Sequence, residues 1–87
     1  MYKIYWTTKA QKQLAKIRSH KDREAIFREA DTLKEFPDCR NVKALTNHKH
    51  DYCLRVGRYR VLFDADADTE VNIIDIEEVK KRDDHTY

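Results

Sequence analysis

The chain has 87 residues and a mass of 10.5 kDa, room for one compact domain and no second. Hydrophobic residues make up 40% and charged residues 39%, with one Gly and one Pro, which excludes collagen-like and low-complexity chains. The formal net charge is only +2, no apolar run approaches the roughly 18 residues of a membrane span, and the opening Met1-Tyr2-Lys3-Ile4-Tyr5-Trp6 is interrupted too soon for a signal peptide, so a soluble cytoplasmic protein is expected.

Tyr2, Ile4 and Trp6 alternate with Lys3 and Tyr5, the period-2 pattern of a strand over residues 2–6. Thr8-x-x-Gln11 reads as a capping box, and Ala10, Leu14 and Ile17 return at helical spacing, predicting a helix over about 8–18. Ser19-x-x-Asp22 caps a second helix over about 21–35, with Ile26, Ala30 and Leu33 on one stripe and Pro37 ending it. The short break between them implies an αα-hairpin. Residues 37–47 read as a polar loop. Beyond it Tyr52, Leu54 and Val56 alternate, Gly57-Arg58 turns, and Tyr59, Val61 and Phe63 alternate again, a β-hairpin signal. The acidic stretch 64–69 reads as a second turn, and Val71–Ile76, apolar at odd and even positions alike, as a strand covered on both faces and central in its sheet. The expected class is α+β in the order β-α-α-β-β-β, a four-stranded, mostly antiparallel sheet with the αα-hairpin on one face.

Charge is segregated along the chain. Residues 1–21 hold six Lys/Arg and no acid, and residues 61–79 hold seven acids and no Lys/Arg. Lys9, Lys12, Lys16 and Arg18 of the first helix offer a basic surface to an acidic partner. If Gly57-Arg58 is a two-residue turn, Arg55 pairs with Arg60 on the face opposite the apolar set. Like charges directly opposite one another are unfavourable, which hints at an anion site; Asp51 or Glu78 could instead neutralise them. The tail from Lys80 to Tyr87 adds cations for a phosphate, an imidazole at His85 and a phenol at Tyr87. Two cysteines without a C-x-x-C pair fit a reducing compartment. His48-x-His50 with Cys53 lacks a fourth ligand at short spacing. Asp64, Asp66 and Asp68 mimic a calcium loop, but Thr69 stands where glycine must turn. No metal and no cofactor are expected.

Leu54-Arg55-Val56-Gly57-Arg58-Tyr59-Arg60-Val61-Leu62-Phe63 resembles the "LRVGxYRVLY" core of RelE/ParE-type toxins of bacterial toxin–antitoxin modules. Val42-Lys43-Ala44-Leu45 is similar to the "VKxL" before that core, and the tail from Val79 to Tyr87 to the family's "GxRxxVY" ending. The resemblance implies the RelE/ParE-like fold and a toxin. In its RelE-like form the toxin is a ribosome-dependent, metal-independent mRNA endonuclease that arrests translation; the ParE-like alternative binds and inhibits DNA gyrase without catalysis. It implies catalytic roles for Arg60, Arg82 and Tyr87; His85 is the expected catalytic acid or base, and Arg55, Lys43, Lys49, His48, His50 and Lys81 are the expected RNA contacts. The implied partners are the ribosome, mRNA and a cognate antitoxin protein, with a toxin–antitoxin heterotetramer as one form of the complex and no membrane association.

Overall fold

A computed structural model describes residues 1–67 and 72–81. In chain order the elements are β1 (Lys3–Trp6), α1 (Thr8–Ala15), α2 (His20–Asp31), a 3₁₀ turn (Thr32–Glu35), β2 (Val42–Ala44), β3 (Tyr52–Val56), β4 (Tyr59–Asp66) and β5 (Ile73–Lys81). The strands form one sheet in the order β1-β5-β4-β3-β2, antiparallel except where β1 runs parallel to β5. The α+β class and the element order agree with the sequence, but the sheet has five strands rather than four. The extra strand is β2, inside the segment read as a loop. Its three residues include a single half-buried apolar side chain, Val42, too short a pattern to register as period 2.

Both helices are shorter than their periodicity suggests. Thr7 rather than Thr8 caps α1, its Oγ1 accepting from the Ala10 N–H at 3.2 Å, while the Gln11 side chain donates to the Trp6 carbonyl at 2.9 Å. The Ser19 cap is as expected, accepting from the Asp22 N–H. The Arg23 guanidinium donates to the carbonyls of Ile17 and Arg18 and so closes the turn between the helices. After Asp31 the helix tightens into the 3₁₀ turn, which ends before Pro37.

The helices cover one face of the sheet, hereafter the inner face. Ala10, Ile26, Ala30 and Leu33 pack there on Leu54, Val61, Phe63, Ile74 and Ile76. Phe36 seals one end, edge-on to Tyr2, Tyr52 and Phe63 with ring centroids 4.9–5.7 Å apart. Phe63 is fully buried at the centre of this packing, and its truncation to Ala would cost about 3–5 kcal/mol. β5 is an interior strand between β1 and β4, as a strand with apolar residues at odd and even positions requires, but β4 rather than β5 holds the centre of the sheet. Only Ile73–Ile76 pair with β1; beyond them α1 takes over that side of β5, Gln13 accepting from the Val79 N–H at 2.7 Å. No helix among the described residues is long and apolar enough to cross a membrane.

Candidate nucleic-acid interface

The hairpin register follows from its turn. Gly57 has φ of +56°, the left-handed value a type II′ turn requires at its first central position. Val56 therefore faces Tyr59, Arg55 faces Arg60, Leu54 faces Val61 and Tyr52 faces Phe63. Leu54, Val56, Val61 and Phe63 go into the core, which leaves Arg55 and Arg60 on the outer face.

The rest of the sheet extends this cationic patch. Lys80 stands opposite Arg60, and Lys43 of β2 stands opposite Cys53. Cys53 is buried among them. Burial pushes its thiol above the ordinary value, against the pull of Arg60, Arg55 and Lys43. Lys81, expected with the RNA-contacting residues, pairs with Tyr59 and belongs to the alternate set of side chains. Lys80 is the β5 cation on the face of Arg60. Two adjacent lysines carry no signal in sequence that tells which one faces out; the register against β4 does. Arg82, His85 and Tyr87 lie outside the described residues.

The histidines separate. Asn47, in the left-handed region at φ of 53°, folds the loop before β3 so that His48 Nδ1 accepts from the His50 N–H at 3.0 Å. His48 and Lys49 are exposed, whereas His50 is buried to 6% exposure. Its Nδ1 lies 3.2 Å from Asp64 Oδ2 and its Nε2 lies 3.1 Å from Glu78 Oε2. Asp64 is fixed in turn by the Asp51 N–H, which donates to Oδ1 at 2.8 Å. Both His50 nitrogens thus face carboxylates rather than solvent. Lys9 reaches Glu78 Oε1 at 3.2 Å and Lys80 reaches the same oxygen at 3.7 Å, so one cation of the basic helix is turned inward to the sheet. Burial pushes the Glu78 carboxyl up, but Lys9, Lys80 and His50 outweigh it and hold the group below the ordinary glutamate value.

A β-bulge makes this arrangement. Phe63 pairs with Ile76 and Leu62 with Glu78, leaving Glu77 as the extra residue of β5. The parity of β5 changes across it, so that Ile74 and Ile76 before it and Val79 after it all reach the core. Glu77 and Glu78 then both line a cleft of about 310 Å³ together with Lys9, Lys49, His50 and Asp64. Neither the bulge nor the union of His50 with Asp64 and Glu77 is announced by any local motif.

A family model described as the ParE toxin of the type II toxin–antitoxin system parDE matches residues 4–84. Among solved structures, the chain is similar to one in the toxin–antitoxin complex RelBE2 from Mycobacterium tuberculosis, at 27% identity and a TM-score of 0.76, over 93% of this chain and 98% of that one. No curated protein matches the chain.

Proposed function

The chain belongs to the ParE toxin family of type II toxin–antitoxin systems, and we propose that it disables its host by cutting ribosome-bound mRNA through the outer face of the sheet. The observation that carries this reading is the placement of Arg55 against Arg60, with Lys80 across from Arg60 and Lys43 beside Cys53, on the face the helices leave open. Guanidinium groups match phosphate in bidentate geometry, and a pair aimed at one anion relieves its own repulsion when that anion arrives. In the reaction a base takes the 2′-hydroxyl proton, the oxygen attacks the adjacent phosphate, Arg60 stabilises the charge that grows on the phosphorane, and an acid protonates the departing 5′ oxygen. This scheme calls for no metal ion. Arg82, His85 and Tyr87 take the tail roles that the family resemblance implies: a second phosphate contact, proton transfer and base stacking.

An antitoxin partner is part of the proposal, supported by the similarity to a chain of a solved toxin–antitoxin complex. Lys12, Lys16 and Arg18 on the exposed side of the helical hairpin suit an acidic segment of that partner.

The second reading, inhibition of DNA gyrase without catalysis, is favoured by the ParE description of the matching family. One induction experiment separates the two. Mapping the 5′ ends of cellular mRNA should reveal new ends within translated frames soon after expression begins. Intact mRNA accompanied by double-strand DNA breaks would establish the gyrase reading instead.

A further inference from the structure

The cleft beside the bulge contains groups whose contacts do not balance as they stand. A neutral imidazole has one N–H, yet both nitrogens of His50 lie within 3.2 Å of carboxylate oxygens, those of Asp64 and Glu78. One of those contacts therefore sets a lone pair against a carboxylate unless a positive charge lies between them. The Glu77 carboxyl lines the same cleft as Asp64 and His50. Two carboxylates brought close together repel each other, and a cation between them relieves that repulsion. The candidate ligand atoms of His50, Asp64 and Glu77 all lie within 4.8 Å of one another, and the cleft opens beside them.

We propose that His50, Asp64 and Glu77 form a divalent-cation site of one imidazole nitrogen and two carboxylate oxygens, with the remaining positions open to water. One dication answers the His50 contact and the crowding of Asp64 with Glu77 together, whereas a doubly protonated imidazole answers the first alone. With the metal on Nδ1, the His50 Nε2–H donates to Glu78. That carboxylate–histidine–metal arrangement is the usual way a ligand imidazole is oriented. Lys9 and Lys80 balance the Glu78 charge from the far side and leave the ligand carboxylates to the cation. A nitrogen donor with two hard oxygens suits zinc or manganese better than magnesium or calcium, which prefer all-oxygen shells. Ligands from the loop before β3, from β4 and from the bulge of β5 make the site a clamp on the sheet rather than a participant in phosphate chemistry. It stands independently of whether the toxin cuts RNA.

The test is calorimetric titration of the full chain with Zn²⁺ after chelator treatment, in a Cys39→Ser background so that the half-exposed thiol does not compete. One saturable zinc per chain and a raised melting temperature are expected, with no comparable effect of Mg²⁺. His50→Ala removes a buried group, and loss of binding there could follow from misfolding, so the deciding variants are Glu77→Gln and Glu78→Gln. With melts that show folded protein, Glu77→Gln should weaken zinc at least tenfold, and Glu78→Gln, acting on the orientation of His50, by about 10–100-fold. Absence of saturable binding, or full affinity in folded Glu77→Gln, would overturn the site. Loss of binding in His48→Ala alone, with Glu77→Gln unaffected, would also overturn it by moving the metal to the exposed loop.

Discussion

The outer face of the sheet crowds like charges in two places and treats them in opposite ways. Around the hairpin, Arg55 faces Arg60, with Lys80 and Lys43 on neighbouring strands, and Arg55 stays exposed. A few residues along the same strands, Asp64, Glu77 and Glu78 crowd together, and there the chain brings in a buried histidine and Lys9 from a helix. The acidic cluster is tied together within the fold. The basic patch lies on the face the helices leave open, with Arg55 exposed to an external anion. Stability should therefore depend on the acidic cluster and activity on the basic patch.

The largest expected effect comes from breaking the acidic cluster. His50→Ala leaves Asp64 and Glu78 without the ring that joins them, and removing one partner of a buried ionic contact costs about 3–5 kcal/mol. For a domain of this size each kcal/mol lowers the melting temperature by roughly 4–8 °C, so a fall well above 10 °C is expected in chelator-treated protein. His48→Ala, which removes only an exposed ring accepting one backbone N–H, should cost about 1 kcal/mol. Equal losses for the two variants would show that the cluster holds nothing together.

Arg60→Ala reverses the pattern. The melting temperature should change little, while single-turnover cleavage on programmed ribosomes falls by roughly 10²–10³-fold, the scale for losing one group that stabilises transition-state charge. A folded Arg60→Ala protein that cleaves at the parent rate removes this arginine from the mechanism.

The same division explains what the sequence makes legible. The register of Arg55 on Arg60 can be read from Gly57-Arg58 because a two-residue turn counts pairs outward with no other information needed. The Ser19 cap and the interior, non-edge place of β5 are local in the same sense. The acidic cluster is not local: His50, Asp64 and Glu78 are brought together by strand pairing and by a bulge at Leu62/Phe63 that no residue pattern marks. Lys80 displaces Lys81 on the outer face for a related reason, since the bulge lies between those lysines and the apolar residues from which their facing would be counted. β2 is not legible in the sequence because three residues cannot display an alternation.

A smaller effect reads the basic patch through its thiol. Cys53 is buried at 4% exposure, and burial raises its pKa, as burial and the nearby Asp38 raise that of half-exposed Cys39. A raised pKa means less thiolate at any given pH, so alkylation of both should accelerate as pH rises through the alkaline range. Cys39 should react first, because access adds to thiolate fraction in setting the rate. Mass spectrometry after timed iodoacetamide treatment distinguishes the two, and faster labelling of Cys53 would mean that the outer face opens at that point.

The smallest effect bears most directly on the comparison. Arg55→Thr places a good strand former opposite Arg60 and removes a like-charge pair, which should raise stability by about 0.2–1 kcal/mol. The same change removes one phosphate contact, so the slope of log affinity for a short single-stranded RNA against log salt should flatten by about 0.7. The two readouts must move together if Arg55 is kept exposed for an external anion: the folded protein gains and the complex loses. A variant that is less stable, with its salt slope unchanged, would mean that Arg55 is already neutralised by an acid of the fold. The hairpin would then be satisfied internally in the same manner as the acidic cluster, and the distinction between the two regions would fail at its central residue.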